Sequence, residues 1–259
     1  MYNVSALWNT LLADKRHYYE ISVVIGESGR LITRQGDQIL FGGESILVAQ
    51  GNADSGYREN ALISVSTTRT VFADHPSVGN CISSELSCSI LRPFGTFPRM
   101  AVVRPYVRIT NGIQASEWIP QGVYYIDTRE TSQNDDGITV MDIHAYDAML
   151  MTEMDFPEVS HSWPAEDSQV IYDIADALGI GVDDRTWDVV DKGYNLSYPA
   201  GYSMREVLGN IASMYGGNWI MNYDGDLLLV ALNSIPAETN YLVDNYGFVI
   251  TFGGDRILV

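Results

Sequence analysis

Lysine is nearly absent from this 259-residue chain: only Lys15 and Lys192 occur, and the other thirteen basic residues are scattered arginines. Against them stand 33 aspartates and glutamates, for a formal charge of -18. Nucleic-acid recognition needs a surface dense in cations to neutralise phosphates, so this balance argues against sequence-specific binding. Cysteine is as scarce. Cys81 and Cys88 are too few for a disulfide scaffold, and no CxxC or Cys/His spacing suggests a metal site. Their odd separation would also put them on opposite faces of a regular strand. Long apolar runs are missing too: no window approaches the ~18 to 20 residues of a membrane span. Residues 1–14 lack the basic start and small-residue cleavage site of a signal peptide, so the sequence reads as a soluble protein not secreted by a cleaved signal.

Motifs that carry chemistry are also lacking. There is no GxSxG, GxxxxGK[ST], HExxH or EF-hand loop, so a nucleophile elbow, phosphate cradle, zinc helix and calcium loop each miss their residues. Gly26-Glu27-Ser28-Gly29 is one residue short of an elbow and reads as a turn. His17, His75, His144 and His161 are dispersed, and none lies three to five residues from another soft ligand. Asp142, His144 and Tyr146 share one strand face, which general acid/base chemistry could use, but a polar barrel face gives the same pattern. Paired carboxylates at Asp135-Asp136, Asp183-Asp184 and Asp224/Asp226 raise glycoside hydrolysis. All three fall in predicted turns, where aspartate is favoured for local backbone hydrogen bonds. Trp118, Tyr124, Tyr125, Trp163, Trp187 and Tyr198 could form a sugar platform, and core or subunit contacts are the plainer reading. Two glycosylation sequons, at Asn3 and Asn195, read as chance matches without a secretion signal. No residue is therefore assigned a catalytic, cofactor-binding or metal-binding role. The expectation is a protein that is not an enzyme and needs no cofactor.

What is present points to strands. Hydrophobic residues make up 46% of the chain, enough for a core, and 23 glycines with 16 tyrosines suit half-buried strands joined by turns. Val4, Trp8, Leu11 and Leu12 lie on one helical face behind a cap at Ser5, predicting a short opening helix that ends near Asp14. Strands are predicted at residues 18–25, 45–49, 62–68, 84–91, 101–110, 121–130 and 138–145, with Gln133 to Gly137 (QNDDG) turning the last pair. That spacing is of an antiparallel barrel or sandwich, not of βαβ units. After a Pro- and Ser-containing linker at 157–164, Glu166 and Asp167 open a helix at 168–178 with Val170, Ile171, Ile174, Ala175 and Leu178 on one face. A second helix at 203–215 starts with a Ser203/Glu206 capping box and a Tyr202–Val207 staple, then leads into a hairpin around Asp224-Gly225. Strands resume at 241–243, 247–252 and 256–259. An apolar end at Ile257, Leu258 and Val259 favours a chain cut from something longer. The predicted fold class is mainly β with an α+β insertion: a β-barrel-like domain at 1–150, a helix-helix-hairpin module at 160–235, and strands at 236–259 that continue or begin a second barrel.

The segments ISSELSCSILRP (82–93), GVYYIDTRE (122–130), ITVMDIHAYDAML (138–150) and YSMREVLGNIASMYGGNWIMNYDGDLLLVAL (202–232), in that order, resemble the tail-hub proteins of tailed bacteriophages and prophage particles. These are also called baseplate-hub, tail-tip or tail-associated-lysin N-terminal proteins. The resemblance spans residues 60–235. It implies a homotrimer with two related β-barrels per protomer, presenting six barrels to a sixfold tail tube or distal tail ring, although only one barrel is evident here. It further implies a virion-tail location after assembly in the host cytoplasm, and a part in the conduit through which DNA passes without specific binding. The partners it implies are the distal tail protein, tail tube or tape-measure protein, and tail fibre or receptor-binding proteins. An acidic lining would repel phosphates, although acidic charge also simply keeps a protein soluble. The alternative from another class is an acidic carbohydrate-active enzyme or sugar-binding module built on the aromatics and paired aspartates.

Overall fold

The computed structural model describes residues 4–26, 40–41, 44–45, 53–72, 75–93, 97–134, 136–232, 251–252 and 255–256. The elements run in the order α1 (Ala6–Ala13), β1 (Tyr18–Gly26), β2 (Leu40–Phe41), β3 (Glu44–Ser45), β4 (Leu62–Thr68), β5 (Glu85–Leu91), β6 (Val102–Thr110), β7 (Ile119–Pro120), β8 (Tyr124–Gln133) and β9 (Thr139–Tyr146). After them come β10 (Ala165–Glu166), α2 (Asp167–Leu178), β11 (Asn195–Leu196), α3 (Met204–Tyr215), β12 (Gly217–Met221), β13 (Leu227–Ala231), β14 (Thr251–Phe252) and β15 (Asp255–Arg256). The expected strand at 45–49 lies outside the described residues beyond Ser45, and so does most of 241–259.

Alternation drives the first layer. In β5, Leu86, Cys88 and Ile90 are buried while Glu85 and Ser87 are exposed, the period of two that a half-buried strand requires. The main antiparallel sheet has the order β1-β6-β8-β9-β5-β4, with β7 also on β6. Val23 of β1 exchanges two backbone hydrogen bonds (2.9 and 2.8 Å) with Tyr57, just before the chain enters β4, which brings the two ends of the strand order near each other. Apolar residues of its strands then converge in one core that includes Val23, Val103, Tyr124, Ile126, Ile143 and Ile90. The β8–β9 turn works as its composition predicts: Gly137 takes φ 72° and Ile138 N–H donates to Asn134 Oδ1 at 2.8 Å.

The opening helix departs from expectation in its buried face. Ser5 caps it, its hydroxyl accepting from Trp8 N–H at 3.1 Å. Of Val4, Trp8, Leu11 and Leu12, however, only Leu11 is buried, and Leu12 is 46% exposed. Eight residues laid against β6 touch it along a narrow seam and not across a full face.

The second core belongs to the helical module. Helix α2 buries Val170, Ile171, Ile174 and Ala175, and Gly179 in the left-handed conformation ends it. Helix α3 starts with the complete capping box: Ser203 Oγ accepts from Glu206 N–H, and Glu206 accepts from Ser203 N–H at 2.8 Å. Ser203→Ala should therefore cost ~1 kcal/mol in denaturant unfolding, and an unchanged midpoint would count against the cap.

One connection ties the two cores. Residues 79–82, on the way from β4 to β5, run parallel to β12: Gly79 N–H donates to Gly217 O, Trp219 N–H to Asn80 O and Ile82 N–H to Trp219 O. Asn218 fastens the same stretch, its Nδ2 donating to Val71 O (2.8 Å) and Ser77 O (2.7 Å) while its Oδ1 accepts from Asn80 N–H. On the far side of the β12–β13 hairpin, Leu227 pairs in parallel with Val182. The helical module therefore contains a ribbon of four neighbouring strand segments, one edge of which comes from the connection between β4 and β5.

Candidate functional site

The acid/base candidates lie together on the outer face of the sheet. Register places Glu85, Ser87 and Ser89 opposite Tyr146, His144 and Asp142, with Ser66 and Thr68 beyond on β4 and Thr128 and Glu130 on β8. His144 Nδ1 lies 3.1 Å from Ser87 Oγ, and its Nε2 lies 3.0 Å from the Tyr146 hydroxyl. Asp142 instead accepts from Ser89 Oγ. A serine nucleophile with a histidine base needs a third group to orient the imidazole. Here the second nitrogen meets a tyrosine, and the carboxylate is engaged one pair further along. What the face offers is hydroxyl groups and acid: Glu85, Glu130 and Asp142 lie on it, and none of the ten positions just named is Lys or Arg.

The carboxylate pairs have structural tasks. Asp183 accepts from Arg185 Nε (2.8 Å), Arg185 Nη2 (2.5 Å) and Asn222 Nδ2 (2.7 Å), and the Arg185 guanidinium holds its carboxyl well below the usual carboxylate range. Asn222 Oδ1 accepts from the backbone N–H of both Asp224 and Asp226, shaping the turn in which Gly225 takes φ 93°. Asn222 thus joins two of the three pairs singled out in the sequence; Asp135 of the remaining pair lies outside the described residues. Cys81 and Cys88 are both free and buried, and burial pushes each thiol up to about 12, which leaves neither available as a thiolate near neutral pH.

The aromatic candidates scatter to separate places. Trp118 is clasped between the guanidiniums of Arg108 (4.3 Å) and Arg58 (5.1 Å), and its Nε1 donates to Asp54. Tyr124 is buried in the barrel core with Tyr125 beside it on β8. Trp163 packs with Tyr198 at 5.3 Å, and Trp187 with Tyr172 at 5.0 Å.

Where the barrel connection meets the β12–β13 hairpin, the fold leaves a cavity of about 510 Å³. Val71, Ile220, Met221 and Leu228 give it apolar lining, and Arg69, Thr70, Asp183, Arg185, Tyr223 and Asp224 give it polar lining. Arg69 reaches across from the end of β4, donating to Asn222 O at 3.0 Å and lying 4.3 Å over the Tyr223 ring. Neither Arg69 nor Tyr223 stood out in the sequence. Arg69 sits in a polar TTRT stretch without periodicity, and Tyr223 reads only as a turn flank. Among the described residues no group of three or more His, Cys, Asp or Glu is arranged to hold a metal, and no helix is long and apolar enough to cross a membrane.

No protein-family model matches the chain. No curated protein matches it either. Among solved structures, it is similar to the 43 kDa tail protein of prophage MuSo2 from Shewanella oneidensis, at 13% identity and TM-score 0.49 over 86% of this chain and 59% of that one. It is also similar to a tail protein from Neisseria meningitidis MC58 (11%, TM-score 0.46, 85% and 53%) and to a Francisella PdpA-VgrG complex (7%, TM-score 0.44, 88% and 35%). The chain spans little more than half the length of the two tail proteins and about a third of the third.

Proposed function

We propose that this chain is a structural subunit of a phage or prophage tail tip: a homotrimeric hub that joins a sixfold tail tube or distal tail ring to a threefold tip and forms part of the DNA conduit. The observation that carries the reading is the outer sheet face, where hydroxyl groups alternate with Glu85, Glu130 and Asp142 and none of the paired positions named above carries a cation. That part of the face repels phosphates at short range, with Arg104 of β6 a cation near it, beside Tyr125. The ordered segments that resemble hub proteins support the same reading, since they fold as β5, β8, β9 and the capped α3 with its hairpin. The subunit acts by assembly and not by turnover. Its partners are two further copies, a distal tail, tube or tape-measure protein, and fibre or receptor-binding proteins.

Solution mass by light scattering, combined with low-resolution particle images, tests this. A threefold ring is expected. Because like charges within a Debye length of ~10 Å repel at 0.1 M salt, added salt should strengthen the trimer. A chain that stays monomeric at high concentration and high salt overturns the trimer, and a ring with a basic lumen overturns the role assigned to the acidic face.

A further inference from the structure

We propose that the cavity between the β4–β5 connection and the β12–β13 hairpin is a binding site for an uncharged, N-acetylated sugar unit. Its volume of about 510 Å³ falls within the range of small-ligand sites, ~300 to 1,000 Å³, and is ample for one or two sugar rings. The lining has two characters. Val71, Ile220 and Leu228 offer aliphatic surface for an acetamido methyl or the C–H face of a sugar, while Thr70, Tyr223 and Asp224 supply hydroxyl and carboxylate groups.

Charge selects the ligand class. Two guanidiniums, Arg69 and Arg185, line the cavity with two carboxylates, Asp183 and Asp224, so the site has no net charge with which to recruit an ion. Arg185 is engaged through two nitrogens by the Asp183 carboxylate, and Arg69 Nη2 is shared by the carbonyls of Met221 and Asn222 while its Nε is buried without a partner among the described residues. The Arg185 fork that would clasp a phosphate is therefore taken. Asp224 differs from Asp183. Its backbone N–H is held by Asn222, but its carboxylate makes no hydrogen bond among the described residues and is exposed at the cavity. A carboxylate with two free oxygens accepts from two neighbouring hydroxyls, the pattern a sugar presents and a simple apolar ligand lacks. Tyr223 is 42% exposed with Arg69 stacked on its ring, which fixes the tyrosine at the cavity wall. This site is independent of the tail-tip reading, since it uses none of the outer-face residues on which that reading rests.

The test is titration of the whole chain with N,N′-diacetylchitobiose, followed by calorimetry and by NMR shifts. Saturable millimolar binding is expected, weaker for cellobiose, which lacks the acetamido groups, and unaffected by inorganic phosphate. Asp224→Asn should weaken it about tenfold by loss of a charge-assisted acceptor. Thr70→Trp, at an exposed lining position, should abolish it by filling the space. Circular dichroism confirms the fold of each variant, and should one fail to fold, the other decides. Absence of saturable binding overturns the proposal, as does undiminished binding in the folded variants or displacement by phosphate.

Discussion

Alanine in place of Trp219 should lower the unfolding free energy by about 3 to 5 kcal/mol, the range for emptying a buried aromatic site. Trp219 is fully buried, and its indole Nε1 donates to Leu208 O at 2.8 Å. Its backbone pairs on both sides, with residues 80 and 82 on one and with Leu229 on the other. No neighbour can collapse into the space without breaking that ribbon, so the void should persist. Trp219→Phe keeps most of the ring and loses the donor, and should cost about 1 to 2 kcal/mol. Urea unfolding at constant m-value reads both. A loss under about 1 kcal/mol for the alanine variant would show that the hairpin relaxes around the site, against the packing described.

Asp147 should be nearly as costly to remove, for an electrostatic reason. It is 1% exposed, and its carboxylate accepts from Ser83 Oγ (3.0 Å), Ser84 N–H (2.8 Å) and Met149 N–H (3.1 Å). Asp147→Ala strands two buried backbone donors at ~1 to 3 kcal/mol each, so a loss of about 2 to 5 kcal/mol is expected. Burial raises its pKa above 3.8, while the three hydrogen bonds oppose that shift. The folded state then holds this proton more readily than the unfolded state. Its contribution is present below 3.8 and is lost as pH rises through the folded value. Asp183 has the opposite sign, since Arg185 and Asn222 lower its pKa and its contribution is present above 3.8 and lost on acidification. Unfolding measured across a pH series should therefore show a shallower acid loss in Asp183→Asn. In Asp147→Asn the decline on raising pH should disappear. Matching slopes in all three proteins would contradict both assignments.

Local signals were legible and distant ones were not. The Ser203/Glu206 box and the Gln133-to-Gly137 turn each depend on atoms within four residues, so their residue types identify them, and the structure forms both. The period of two likewise put Asp142, His144 and Tyr146 on one face. It could not say that Ser87 and Ser89 would stand opposite and occupy the imidazole and the carboxylate, because pairing between β5 and β9 depends on strand order. The opening helix shows a second limit: four apolar positions on one side predicted a buried face, but burial follows what lies against a helix, and only Leu11 met it. The cavity shows a third. Asp183 and Asp224 read correctly as turn residues, yet only Asn222, placed by the hairpin, brings the two turns together with Arg69 from a strand end some 150 positions away.

Synthesis order gives the connection at 79–82 a particular history. Among the described residues, the core of the main sheet draws on positions from Val23 to Ala145, all of them made before the helical module begins. The module's core reaches back to Cys81 and forward to Leu229, and Asn80 meets its partner Asn218 across 138 positions of chain. At ~5 to 20 residues per second, a ribosome takes roughly 7 to 28 seconds to cover that distance. Throughout that interval the strands of the main sheet can pair while Cys81 and Ile82 still lack the partners that β12 brings. The nascent chain thus carries an open strand until the hairpin emerges to cover it.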